Sequence, residues 1–464
     1  MMLWPLAIAA SELLPPASLH VTDDGKFTYS QKTTTSGGFR VLTTYLNPAK
    51  IDPFQVHEVV VDGKRGKVYV SLLTTSQLFE LDLGPSGELS PVAHRWTFNT
   101  NESGLHNIAP SACHPGGLWV STQYDNQVHL VDPATGYAPV RSVRVPRLLH
   151  NGTAWGLKIS EPHSVREAAD CTIWVALKGA TRNVPAGFDD IDYTEAYDAM
   201  TVLDPDLPRN HSDGHAVWHL LPSAYNESAF PGLGGKLHAA LPTPVMSAVD
   251  GRGNTFHAQD CSPSLLRIDP AGGETQVPVG LWFQASGPGT VAAPDGSVWV
   301  CSLTRDDGLL LRFRPGTVVP EPFEQLTHLG GGKRRTIHMA FATERLDGTK
   351  ANMIYVLTSS LLIPKTTPAI EEVIGYELDD EWNEVAAETG GEPVLHVTLP
   401  VQHSAAHRIA LAEPTHAGAA RSLIVTGLAT SVLFQLLPGE SKEKGGGILE
   451  NQRVEPSSGC RPAA

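Results

Sequence analysis

The chain is short of charge. Only 18% of its residues are Asp, Glu, Lys or Arg, and the formal balance is −15. There is no basic run and no interleaving of arginine with aromatic residues, which excludes nucleic acid as a partner. Cysteine is scarce too. The five present, Cys113, Cys171, Cys261, Cys301 and Cys460, include no C-x-x-C pair, so thiolate zinc modules are excluded. No apolar run is long enough to span a bilayer. The G-x-S-x-G elbow, the H-E-x-x-H helix and the P-loop are all missing. No two carboxylates stand out as a glycosidase acid and nucleophile.

Glycine and proline, at 43 and 36 residues of 464, are plentiful. They argue for many turns and against a helical bundle. The opening "MMLWPLAIAASELLPP" reads as a secretory segment over 1–18, with small residues in "AIAA" for cleavage. Asn101, Asn151, Asn210 and Asn226 each open an N-x-[ST] sequon, in keeping with a secreted, extracellular glycoprotein. In that compartment Cys113 is expected to pair with Cys171 and Cys261 with Cys301, leaving Cys460 in the tail.

A repeat runs through the middle of the chain. The clearest copy is "SGLHNIAPSACHPGGLWVSTQYDNQVHLVDPATG", Ser103 to Gly136. Others begin at Val56, Pro162, Pro244, Pro288, Ile337 and Ala406, giving seven units of forty residues or more. Each offers a short apolar strand, a glycine turn, a "VWV"-type strand and a third strand such as "LLRIDP". A fourth strand is expected in the connecting segment. Short alternating runs rich in Val, Leu and Trp are strands, and four per repeat define a β-propeller. The expectation is all-β: a seven-bladed β-propeller of four-stranded antiparallel blades over 19–438, with a flexible polar tail over 439–464. Trp119, Trp174 and Trp299 recur at one strand position and read as blade core. The third unit carries a long insertion, Ala180 to Pro244, expected to supply outer strands and a loop over one face.

Aligned on their first strands, the units place His57, His106, His163, Met246, Gly289, His338 and His407 at one position. A lone histidine before a strand is ordinarily turn chemistry. Five at one repeat position, on the strand that lines a propeller's channel, are expected to ring its mouth. Converging imidazoles suit acid–base work near neutral pH or metal ligation. Arg166, Arg334 and Arg335 lie close in sequence to His163 and His338, and a guanidinium holds a carboxylate well. Tyr124 follows the "WVSTQ" strand and is placed to reach the same mouth.

The units "LHNIAPSACHPGGLWVSTQYDNQVHLVDPATG" and "PHSVREAADCTIWVALKG" resemble the repeat of streptogramin (virginiamycin B) lyases over Val56 to Gly439. That resemblance implies a seven-bladed propeller that cleaves by elimination with an essential histidine and a divalent cation. The acidic residue of the family's "WFTE" is Gln123 here. The sequons, the third-unit insertion and "EPHSVR" look more like fungal polysaccharide lyases of the L-rhamnosyl-α-1,4-D-glucuronate type, which act on gum-arabic side chains. The resemblance implies a deep pocket on one face and a bound calcium ion, structural or substrate-organising.

The function expected on these grounds is β-elimination at a 4-O-substituted glucuronate in an anionic oligosaccharide or polysaccharide, by a monomeric enzyme. Arg166 and Arg335 would neutralise the C6 carboxylate, with Arg334, His57, His338 and His407 as further substrate contacts. His106 would remove the C5 proton, supported by His163 or Tyr124, and rhamnose would leave. Two other classes fit the pattern: a streptogramin-type lyase or propeller lactonase, and a non-enzymatic glycan-binding propeller.

Overall fold

The computed structural model describes residues 18–46, 55–100, 103–145, 149–150, 153–154, 162–177, 199–203, 216–220, 243–260, 264–279, 289–303, 305–329, 333–361, 363, 365–385, 392–414 and 420–439. The segment expected to be secretory, up to residue 17, residues 440–464 and most of the third-unit insertion fall outside them, as do Cys261 and Cys460.

The architecture is an all-β propeller with antiparallel blades. Two five-stranded and five four-stranded sheets surround one axis. Each innermost strand packs against that of the next blade, and blade seven returns to blade one. The innermost strands are Val56–Asp62, Leu105–Pro110, Pro162–Glu167, Thr243–Val249, Thr290–Ala292, Thr336–Glu344 and Ala406–Ala412. Six blades are self-contained, built from four strands consecutive in the chain. Here the expectation of seven self-contained repeats is corrected to six.

The last unit supplies only three strands, Ala406–Ala412, Ser422–Gly427 and Val432–Pro438. Its outer strands are Phe39–Tyr45 and Ser30–Ser36 from the other end of the chain, with Phe39 opposite Pro438 and Tyr45 opposite Val432. Another early strand, Val21–Thr28, lies along the edge of blade one. The composite sheet ties the chain's ends together and closes the ring, which leaves no long inner edge unpaired.

The core lies between blades. Val, Leu and Ile on facing sheets interleave, and Trp119 and Trp299 are almost wholly buried while Trp174 is 9% exposed. These tryptophans are blade core, not sugar platforms. Among the described residues, no helix is long and apolar enough to cross a membrane.

Candidate functional site

The ring position falls on a structural irregularity. In six of the innermost strands the pairing register slips at or beside it: between Val56 and Val59, Leu105 and Ile108, Pro162 and Ser164, Pro244 and Met246, Thr336 and His338, and Ala406 and Ile409. A β-bulge of this kind re-aims side chains, so that neighbouring residues escape strict alternation. Glu58, Asn107, Ser164 and Arg408, each one residue past a ring histidine, are thereby buried beside it.

Hydroxyls on the second strand hold three of these bulges. Ser71 Oγ accepts from the Glu58 amide at 3.1 Å and donates to the His106 carbonyl of the next blade at 2.8 Å. Thr426 Oγ1 accepts from the Arg408 amide at 3.0 Å and donates to the His57 carbonyl at 3.2 Å. Ser121 Oγ accepts from the Asn107 amide at 3.1 Å. Blades seven, one and two are thus stitched together at the level of the ring.

Four of the five histidines converge. The rings of His57 and His106 are 3.7 Å apart centre to centre, those of His106 and His163 3.8 Å, and those of His57 and His407 4.1 Å. All four are buried, while His338 is partly exposed. His163 donates from Nδ1 to the Val245 carbonyl at 2.8 Å, which leaves Nε2 as its lone-pair nitrogen. His407 donates from Nδ1 to the His57 carbonyl at 3.1 Å and accepts from Arg408 Nη1 at Nε2. Burial, then Arg408, holds His407 well below its usual pKa, so it is neutral at physiological pH. The same two causes push His338 down to about 3.

Beneath the ring lies a buried ion pair that the repeat alone did not reveal. Arg408 Nε donates to Glu58 Oε1 at 2.6 Å, and both side chains are nearly inaccessible. Burial opposes the Glu58 charge, but Arg408, Arg166 and the nearby histidines outweigh it and its pKa falls. Arg166, favoured from the sequence, does reach this group. Its Nη1 donates to the Val165 carbonyl at 2.7 Å and to Asn107 Oδ1 at 3.4 Å, and its charge is felt by Glu58. The Arg408–Glu58 contact spans 350 residues, and no local spacing announces it. The available signal was the residue after each ring position, which reads Glu58, Asn107, Ser164, Ser247, Thr290, Met339 and Arg408.

Other sequence candidates go elsewhere. Arg334 pairs with Glu372 at 3.0 Å and donates to the Leu329 carbonyl, and it is 5% exposed between strands. Arg335 pairs with Asp306 at 2.6 Å. Both side chains are thus engaged by carboxylates of the scaffold. Tyr124 packs on the approach to the first strand of blade two, its amide donating to the Ser103 carbonyl at 2.9 Å. Its ring crosses Gly104, where an added Cβ would come within 2.5 Å of Cδ2, so only glycine admits the tyrosine there. Gly289 has a similar reason, since a Cβ would lie 1.8 Å from Cys301 Sγ. That thiol is free and buried, which corrects the expected Cys261–Cys301 bridge; burial pushes its pKa up to about 12.

The Cys113–Cys171 disulfide is present and joins loops at the far end of the innermost strands from the ring. Beside it Glu167 accepts from Ser111 Oγ, the Cys113 amide and Trp119 Nε1 at 2.9–3.0 Å, stapling blade two to blade three.

Calcium does not fit this ring. It takes six to eight oxygen ligands, whereas the ring offers imidazole nitrogens, and the adjoining carboxylate of Glu58 is bonded to Arg408.

Fold and site together define a β-propeller with a histidine-lined axis. No protein-family model matches the chain, and no curated protein matches it. Solved structures do. A streptogramin B lyase is similar with a TM-score of 0.54 at 12% identity, over 87% of this chain and 99% of that one. Virginiamycin B lyase from Staphylococcus aureus gives 0.53 at 10%, over 86% and 99%. A hydrazine synthase chain from Kuenenia stuttgartiensis gives 0.51 at 11%, over 84% and 98%. At such identities the likeness establishes the fold: a propeller of the kind found in streptogramin B lyases. It does not extend to a polysaccharide substrate.

Proposed function

We propose that the chain is a carbon–oxygen lyase of the streptogramin-lyase type, breaking a C–O bond by β-elimination beside a carbonyl. The observation that carries this reading is the stack of His57, His106 and His163 at the axis of a lyase-like propeller. In such a reaction a base removes the proton α to the carbonyl, the C–H electrons form the C=C bond, and the β-oxygen leaves and is protonated. His106, flanked on both sides by imidazoles, is the base in this scheme. His163, with its Nδ1 proton committed to Val245, supports it through Nε2. Tyr124 is the acid for the leaving oxygen. Arg166 stabilises the enolate charge as it develops. A related reaction in a structural neighbour supports the reliance on histidine: virginiamycin B lyase is described as catalytically inactive in a histidine-to-alanine variant, in a structure with quinupristin.

A 4-O-substituted glucuronate, as in the rhamnosyl caps of gum arabic, is the second reading. One observation favours it. Two guanidinium groups, Arg408 and Arg166, face the single carboxylate of Glu58 beneath the stack, and the surplus positive charge suits an anionic substrate. The sequons support an extracellular setting for either substrate.

The test is to incubate purified protein with quinupristin and with gum arabic in water enriched in heavy oxygen. Elimination gives a conjugated, ultraviolet-absorbing product without label, and free rhamnose in the second case. Label in the product would identify a hydrolase, and no conjugated product from either substrate would overturn the lyase reading for these two classes.

A further inference from the structure

We propose that His57, His106 and His163 form a binding site for a divalent transition-metal ion of the zinc class. One nitrogen from each ring can be chosen so that all three lie within 4.8 Å of one another, and all three residues are buried. A tetrahedral zinc at 2.0–2.1 Å from each nitrogen would hold them about 3.3 Å apart, so each ring needs to shift by under about one ångström. The donor set decides the class of ion. Three neutral imidazoles suit zinc, cobalt, nickel or copper, and do not suit calcium or magnesium, which take oxygen.

The surroundings resemble those that orient metal ligands. A ligating histidine ordinarily donates its other ring nitrogen to a carbonyl or carboxylate. His163 does so, from Nδ1 to the Val245 carbonyl at 2.8 Å. His57 turns Nδ1 toward Glu58 Oε1 at 3.6 Å. The His57 and His106 backbones are themselves fixed by the Thr426 and Ser71 hydroxyls. Glu58 places a negative charge between the site and Arg408, easing the repulsion that the guanidinium would exert on a dication. The fourth ring histidine, His407, spends Nδ1 on the His57 carbonyl and faces Arg408 with Nε2. The site therefore has three protein ligands, and its fourth position is left for water or a substrate oxygen, an arrangement typical of catalytic rather than structural zinc. With an ion bound, His106 would be a ligand and not the base, so the metal-loaded form and the elimination scheme above are alternative states of one site.

The experiment uses full-length protein with any affinity tag removed, stripped with a chelator and titrated with cobalt(II). Expected is about one cobalt per chain with the visible bands of a four-coordinate ion, displaced by zinc and untouched by calcium. His106→Ala and His163→Ala should each weaken binding by about tenfold or more, whereas replacing the exposed His114 should not. Absorption at the zinc edge of the wild-type protein gives a readout that needs no variant, with scattering from three imidazoles expected. No stoichiometric cobalt band, fewer than two imidazoles at the zinc, or unchanged binding in both folded variants would overturn the proposal. None of these measurements reads turnover. A chain that binds cobalt but eliminates nothing keeps this inference and loses the lyase reading, and the converse result does the opposite.

Discussion

The two sides of the ring are built differently. Blades seven, one and two bring His407, His57 and His106 to the axis, follow them with Arg408, Glu58 and Asn107, and hold the bulges with Thr426, Ser71 and Ser121. Blades four, five and six bring Met246, Gly289 and His338 to the place of Arg408, Glu58 and Asn107, one residue past that of the stacked histidines. Where the first three blades have a hydroxyl, these have Ala258, Cys301 and Leu357. Both sides share one propeller geometry. The comparison shows that repetition supplies the ring, while a second set of residues, unrepeated, decides which part of it becomes a polar site. Blade three stands between the two, with His163 in the stack but Ala176 at the hydroxyl position.

The largest stability effect expected from this comparison is at Arg408. Blade six carries no charge at the equivalent place, which is held by the neutral His338 opposite Leu357. Arg408→Met should nonetheless cost about 3–5 kcal/mol in urea unfolding, because it leaves the Glu58 carboxylate buried and unpaired. Adding Glu58→Gln should restore part of that loss, and an unaltered midpoint in the single variant would show that the pair does not hold the sector. Removing the Cys113–Cys171 bridge, which closes 58 residues, should cost about 2–4 kcal/mol, mainly by loosening blades two and three.

The acid response should come next. His129 in blade two and His338 in blade six are each held at about 3, His129 by burial and His338 by burial and Arg408, against an ordinary value of 6.5. A depressed histidine pKa means that the unfolded chain binds more protons. The stability these residues contribute is intact above 6.5 and is lost as pH falls toward 3. Unfolding measured across that window should show the decline, and His129→Gln should flatten it. The smallest effects test the hydroxyls. Ser121→Ala should cost about 1 kcal/mol, because the Asn107 amide loses its acceptor. Thr290→Val, on the plain side, should change stability by under about 0.5 kcal/mol, since Thr290 Oγ1 makes no hydrogen bond among the described residues.

Much of this was legible in the sequence, for physical reasons. The alternation of "LWVST" and "VHLVD" marks strands, and their recurrence places four histidines at one strand position, with His338 one residue out of step. The closing strands were not legible, because "SQKTTTS" is a polar outer strand without an apolar signature and pairs with residues near the other end of the chain. Nearness of Arg334 and Arg335 to His338 in sequence did not reveal their partners. Their segment instead bonds back to Asp306, and the Arg334 side chain turns to Glu372. Arg408 was within sight, being adjacent to His407, yet its partner Glu58 is 350 residues away and only ring closure brings them together.

The account's central claim is that the stacked side of the ring, not the ring as a whole, carries the chemistry. The direct measurement is kcat/KM for His106→Ala and His338→Ala on whichever substrate yields the conjugated product, with both variants confirmed as folded. The account predicts a loss of about 10²–10⁴ for His106→Ala, the usual worth of a general base, and a loss of under about tenfold for His338→Ala. Equal losses in the two variants, or full activity in His106→Ala, would contradict it.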